Sequence, residues 1–275
     1  MADWHSGVLQ ANHIHIHYTR TGGAKPPVVL AHGFTDDGLC WTRVARALEA
    51  DYDVIMPDAR GHGRSDAPAS GYGPDEMADD LAGLIRGLGL TSPIVLGHSM
   101  GAMTSLFLAS RYPGLPRAIA LEDPPARWDS EFLADDAAGR ARERTWIEGL
   151  QRQSREALIA AERENNPLWD AQELGPWADS KLRFNPNFLN REPPGPADWA
   201  ALFSHITCPV LLITADPAKG AIVSGRAAAS LAAMLPQTKR ARIAGAGHSI
   251  HRDQFAAYME VVRTQFAEWG QARSS

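Results

Sequence analysis

Cysteine is nearly absent: Cys40 and Cys208 stand alone in 275 residues, with no CxxC pair and no Cys/His spacing suited to a metal. That argues against a disulfide-stapled fold or a zinc ribbon and leaves two reduced, packed thiols as the expectation. Long hydrophobic runs are missing too. No uninterrupted apolar stretch approaches the roughly 18 residues of a membrane-spanning helix. The opening MADWHSGVLQANHIHIHY has neither a basic start nor an apolar segment after it, so a cytoplasmic protein is expected. Positive charge is not in excess either: 27 Lys and Arg against 32 Asp and Glu give a formal charge of −5. Nucleic acid and anionic membranes are therefore poor partners. What the chain does have is 44% hydrophobic residues, enough for a full core, and a small molecule is the expected partner.

Short runs rich in Val, Ile and Leu alternate with segments of helical period, the pattern of an α/β protein with a mostly parallel, buried sheet. Strands are expected at 27–32, 53–58, 93–98, 117–122, 209–214 and 239–244, and helices at 41–50, 74–90, 100–111, 222–235 and 251–269. The first 20 residues read as a hairpin turning at Ala11 and Asn12. Its alternation puts His13, His15 and His17 on one strand face and Ile14 and Ile16 on the other. Three ligands on one straight strand span too far for a single ion, so a solvated outer face is expected there rather than a metal site.

Residues 124–205 break this rhythm. They hold five of the eight tryptophans (Trp128, Trp146, Trp169, Trp177 and Trp199), several prolines and charged helical stretches. The expectation is a mainly helical lid inserted into a core built from 1–123 and 206–275, its aromatics divided between cavity walls and packing. NREPPGPADW, at 190–199, reads as the linker back to the sheet.

PIVLGHSMGAMTSLF contains Gly97-His98-Ser99-Met100-Gly101 directly after an expected strand and directly before an expected helix. In that context G-x-S-x-G is a nucleophile elbow: the serine hydroxyl is projected from a strained turn, and the flanking glycines let strand and helix approach. The helix N-terminus, including the Met100 amide, faces any oxyanion that develops. Together with VVLAHGFTDDGLCW and VIMPDARGHGRSD in the same order, this sequence resembles the α/β-hydrolase fold family. The resemblance implies an eight-stranded, mostly parallel sheet flanked by helices, with the lid after the sixth strand. It also implies Ser99 as nucleophile, an oxyanion hole from the amides of Phe34 and Met100, and no metal or organic cofactor. His248, in the glycine-rich loop of ARIAGAGHSIHRDQF, matches the family's catalytic histidine, with His251 as the second choice; His98 and His62 fall in motifs where the side chain is usually scaffold.

The carboxylate partner of His248 is harder to locate. The family most often carries it after the strand at 209–214, but Ala215-Asp216-Pro217-Ala218 puts alanine at that position and leaves only Asp216 nearby. Other members carry it after the preceding sheet strand, which here ends ALEDPPARW, so Asp123 is the first candidate and Asp216 the alternative. Strand alternation directs Glu122 away from Asp123. Asp58 and Asp66 are expected to be structural, pairing with Arg60 or Arg64 or capping amides. Asp36 and Asp37 either shape the oxyanion loop or meet a polar substrate group. Phe34, Trp128 and Arg127 are candidates for substrate contact, the aromatics toward an apolar portion and Arg127 toward an anionic one.

These residues point to a serine hydrolase of small esters or lactones. The EDPP, TADPAKGAIV and GAGHSIHRDQF segments also resemble a subgroup of the family that includes N-formylmaleamate deformylase, which keeps an amidase or deformylase open. A non-catalytic ligand receptor on the same scaffold is the alternative from another class. Separate Asp123→Asn and Asp216→Asn variants discriminate the two acids: steady-state turnover should collapse only in the first, and the reverse pattern would assign the acid to Asp216.

Overall fold

The computed structural model describes residues 4–130, 132, 137–191 and 197–271, so 192–196 of the expected return linker lie outside the described residues. The strands are β1 (His5–Ala11), β2 (Ile14–Arg20), β3 (Pro27–Ala31), β4 (Asp53–Pro57), β5 (Ile94–His98), β6 (Ala118–Glu122), β7 (Val210–Thr214) and β8 (Thr238–Arg242). They form one eight-stranded sheet in the order β1-β2-β4-β3-β5-β6-β7-β8. Pairs β1–β2 and β2–β4 are antiparallel and the rest parallel. Helices α1 (Thr42–Leu48), α2 (Pro74–Gly87) and α3 (Met100–Arg111) join the first strands. The connection from β6 to β7 carries α4 (Ala137–Gln151), α5 (Arg155–Asn165), α6 (Ala171–Arg183) and α7 (Trp199–Ser204). Then α8 (Gly225–Met234), α9 (Ile250–Asp253) and α10 (Phe255–Gln271) complete the chain.

The inner parallel strands β3 to β7 are apolar almost throughout because both faces are covered, whereas the edge strand β8, TKRAR, is largely exposed. Val95, Ile119, Leu121 and Leu212 pack with α2, α3, Phe203 of α7, and α8. Leu96, Ala120, Leu211 and Ile213 pack with α1 and α10 on the other face. Among the described residues no helix is long and apolar enough to cross a membrane.

Three local expectations are corrected. The hairpin turns at Asn12 and His13, one residue later than expected, with φ of 46° and 64°. A two-residue hairpin of this hand needs positive φ at both central positions, so His13 leaves the strand. Nor is that histidine face solvated throughout: His15 stays exposed beside Asp66, but His17 is buried and donates from Nδ1 to Asp58 at 2.9 Å. The helix expected at 251–269 is two helices, α9 and α10, broken at Gln254 (φ −135°, ψ 56°). There Asp253 accepts from the Gly247 amide and from the Trp169 indole, each at 2.7 Å.

The tryptophans of the β6–β7 connection divide by position. Trp128 and Trp199 join the main core, Trp169 and Trp177 pack with Leu158 in a small core between α5 and α6, and Trp146 is 48% exposed. Side chains of Ser154, Asp170 and Asp198 accept amide hydrogens at the starts of α5, α6 and α7, which is why the helices begin there.

The first turn of α3 lies so close to the end of β3 that a Cβ on Gly101 would run into the carbonyl oxygen of Ala31, whereas one on Gly225 meets nothing within 4 Å. Gly101→Ala is expected to destabilise the protein by about 3 kcal/mol. Gly225→Ala should leave the thermal midpoint unchanged or slightly raised. Melting curves of the two variants measured side by side check this contrast.

Candidate active site

Six described non-glycine residues have positive φ, and three of them, Thr35 (65°), Ser99 (51°) and Asp123 (42°), belong to the turns that leave β3, β5 and β6 at one edge of the sheet. Each such residue costs about 1–3 kcal/mol and persists only where its surroundings over-determine it. Ser99 sits between β5 and α3 with ψ of −111°. Its flanking glycines are needed sterically, since a Cβ on Gly97 would collide with the backbone of Gly101. The 33–35 loop lies against the serine: a Cβ on Gly33 would stand 2.6 Å from His98 Nδ1 and 3.5 Å from Ser99 Cβ. Met100 is the first residue of α3, so its amide is among those a helix leaves without an internal acceptor.

Asp123 is fully buried. Its carboxylate accepts from the Ile222 amide at 2.8 Å, the Val223 amide at 2.9 Å and His248 Nδ1 at 2.6 Å. With Nδ1 as the donor, Nε2 of His248 carries the free lone pair. The His248 side chain remains 34% exposed. Asp216 meets other groups: Arg242 Nη2 at 2.6 Å, the Gly245 amide at 2.7 Å and, through its own amide, the Ala246 carbonyl at 3.0 Å. It braces the loop that carries His248, while Ala218 is exposed in the short turn Pro217–Lys219.

Charged groups that sequence reasoning left unassigned surround this centre. Asp36 lies between Lys181 of α6 at 2.6 Å and Arg252 of α9 at 2.8 Å, all three buried. Burial alone would raise the Asp36 carboxyl, but the two cations outweigh it and hold it well below its ordinary value. Asp37 accepts from Arg183 at 2.9 Å and caps the turn at Leu39. Both aspartates therefore tie the 33–37 loop to α6. Glu122 accepts from the His251 amide at 2.9 Å and from His251 Nδ1 at 2.8 Å. No motif signals the Lys181 and Arg252 contacts; a charged residue closing an apolar strand, as Glu122 does in AIALE, is a signal that could have marked the His251 pair.

Phe34 forms a wall beside Met100 with Phe184 and Phe188, its ring 5.4 Å from each of theirs. The Arg191 guanidinium lies 5.4 Å from the Phe34 ring and pairs with Glu143 at 2.5 Å. Trp128 is placed differently: its indole donates to the Ala227 carbonyl at 2.9 Å and its ring packs near Trp199 and Phe203. Arg127 is half-buried, with its amide on the Pro125 carbonyl at 2.7 Å. Asp58 accepts from His17 and from the amides of Gly38 and Arg64, and Asp66 from the His15 amide and ring. Arg60, an expected partner of these acids, instead pairs with buried Asp80 at 2.6 Å.

This architecture defines the class: residues 26–254 match the alpha/beta hydrolase fold family, and the chain belongs to it. Particular members are similar over most or part of its length. N-formylmaleamate deformylase of Pseudomonas putida is 29% identical over 268 residues, 92% of this chain and 94% of that protein. The 2-(acetamidomethylene)succinate hydrolase of Mesorhizobium japonicum is 37% identical over 114 residues, a match that spans 42% of this chain and 41% of that protein. Among solved structures, an N-formylmaleamic acid deformylase from Pseudomonas putida S16 superposes with a TM-score of 0.74 at 25% identity, covering 94% of this chain and 100% of the other. A thermophilic esterase from Thermogutta terrifontis gives 0.72 at 25% identity, covering 96% and 99%.

Burial lowers both His62 and His98 from the ordinary 6.5 to about 3, so both are neutral in the folded protein. Unfolded, each binds a proton below about pH 6.5, so the stability they contribute is complete above that pH and is lost as pH falls toward 3. The slope is up to about 1.4 kcal/mol per pH unit for each histidine. Urea midpoints between pH 7 and pH 4 should therefore fall steeply in the parent and less steeply in His62→Asn; equal slopes would remove His62 as a contributor.

Proposed function

We propose that this chain is a serine hydrolase that cleaves a small carboxylic ester or lactone through an acyl-enzyme on Ser99. The observation that carries the reading is the 2.6 Å bond from His248 Nδ1 to buried Asp123, which leaves Nε2 as the base; the His248 ring lies 4.6 Å from that of His98, the residue before Ser99, which is held at φ 51° at the start of a helix. His248 takes the Ser99 hydroxyl proton as Oγ bonds to the carbonyl carbon. The amides of Phe34 and Met100 hold the oxyanion. Collapse breaks the bond to the leaving oxygen, which takes the proton from His248. Water, deprotonated by His248, then attacks the acyl carbon and releases the acid, and the proton returns to Ser99. Asp123 stays ionised throughout and stabilises the imidazolium.

Helices of the 124–205 segment act as a cap over this centre, with Phe184 and Phe188 bringing an apolar wall against Phe34. An apolar or aromatic part of the substrate lies there; Trp128 serves the core and Arg127 remains a candidate for an anionic group. Two buried free thiols suit a cytoplasmic protein. A second reading, hydrolysis of an amide or formamide by the same three residues, is supported by the 29% identity to N-formylmaleamate deformylase over 92% of the chain. It requires His248 to protonate a poorer leaving group.

A short-chain nitrophenyl ester and an N-formyl amide, assayed in parallel for nitrophenol and formate, separate the two readings. Ser99→Ala and His248→Gln are each expected to lower kcat/KM by on the order of 10^4-fold. A fluorophosphonate should label Ser99 in the parent. Absence of both turnover and labelling would falsify the hydrolase reading and favour a ligand receptor.

A further inference from the structure

Glu122 occupies an unusual place for a carboxylate. It ends β6 with its side chain fully buried, on the sheet face covered by α1 and α10, while Asp123 next to it serves the opposite face. Its backbone carbonyl accepts the Ser99 amide at 2.9 Å. Its carboxylate accepts both the backbone amide and the Nδ1 hydrogen of His251. The His251 ring lies 4.5 Å from that of Trp41, which keeps it from turning away. Across the parallel register from Glu122 stands His98, whose Nε2 donates to the His248 carbonyl at 3.0 Å.

The turn from His248 to His251 is thus held at both ends, by His98 at one and Glu122 at the other, and Glu122 also holds the Ser99 backbone. His248 follows the glycine-rich stretch 245–247, which lies outside any strand or helix, has φ of 83° at Gly245 and is braced by Asp216 and Asp253 up to Gly247, so the chain at His248 itself depends on these further contacts. The bond to Asp123 orients the imidazole but does not fix the backbone that carries it. A buried carboxylate held by hydrogen bonds is a poor device for stability alone, since apolar groups of the same volume often do as well. Its directional bonds do what apolar contact cannot, by setting a register.

We propose that Glu122, through His251, and His98, through the His248 carbonyl, are positioning residues that hold the His248 ring between Asp123 and Ser99. This rests on the triad reading above. Misplacement by about 1 Å can cost on the order of a hundred-fold in rate, so Glu122→Gln should lower kcat about 10- to 100-fold with KM within about two-fold.

The second readout is the downfield proton resonance of His248 Nδ1, identified as the one missing in His248→Gln. It should move or broaden in Glu122→Gln. His251→Leu, which keeps bulk beside Trp41 but offers no ring donor, should behave like Glu122→Gln. His251→Asn, whose amide N–H stands near the position of Nδ1, should restore kcat to within about three-fold of the parent and retain the resonance. If Glu122→Gln and His251→Leu only lower the melting temperature, with kcat and the resonance unchanged, the proposal is wrong. It is equally wrong if His251→Asn is as impaired as His251→Leu. Should Glu122→Gln fail to fold, the two His251 variants decide. An inactive parent enzyme defeats the triad reading, whereas the resonance still decides the positioning without turnover.

Discussion

The site is organised around the carboxylate of Asp123, buried at the end of β6 and held by the amides of Ile222 and Val223 and by His248. A carboxylate removed from water is tolerable only when its lone pairs are met. Here the partners come from the loop after β7 and the loop after β8, so satisfying one charge draws two distant segments to the end of β6. The positive φ of Asp123 is part of the same constraint. The chain must turn out of the strand at once for the carboxylate to reach both segments.

A second buried charge does comparable work at the 33–37 loop. Asp36 draws Lys181 from the β6–β7 connection and Arg252 from the segment after His248. Each cation answers a charge that would otherwise be stranded in a low-dielectric interior, so the three elements are fixed together. The aromatic wall of Phe34, Phe184 and Phe188 forms between the same elements. In this protein polar contacts set which loops meet at the sheet edge, and apolar contacts fill the space between them.

Much of the core was legible because its signals are local. Six strands and the elbow helix follow from Val/Ile/Leu runs and helical period, and observed ends such as Met100–Arg111 fall where those patterns stop. Misreadings arose where two remote segments compete for one residue. His17 looked solvated from its alternation, yet Asp58, 41 residues away, draws it inside. The last helix looked continuous, yet Gly247 and Trp169 both engage Asp253, and the helix breaks beside it. Period and propensity describe neighbours along the chain and are blind to such partners.

Sequence by itself determined the α/β class, the order of the strands along the chain, the glycine-flanked serine turn and the two aspartates worth weighing. Each is written in residue type and spacing, through steric demands that act within a few positions. Only the tertiary structure decided that Asp123 rather than Asp216 meets His248, that Glu122 meets His251, and that Asp36 is enclosed by Lys181 and Arg252. Those outcomes depend on which strand ends are neighbours in the sheet. That adjacency is set by packing of apolar faces across the whole chain, and no local pattern encodes it.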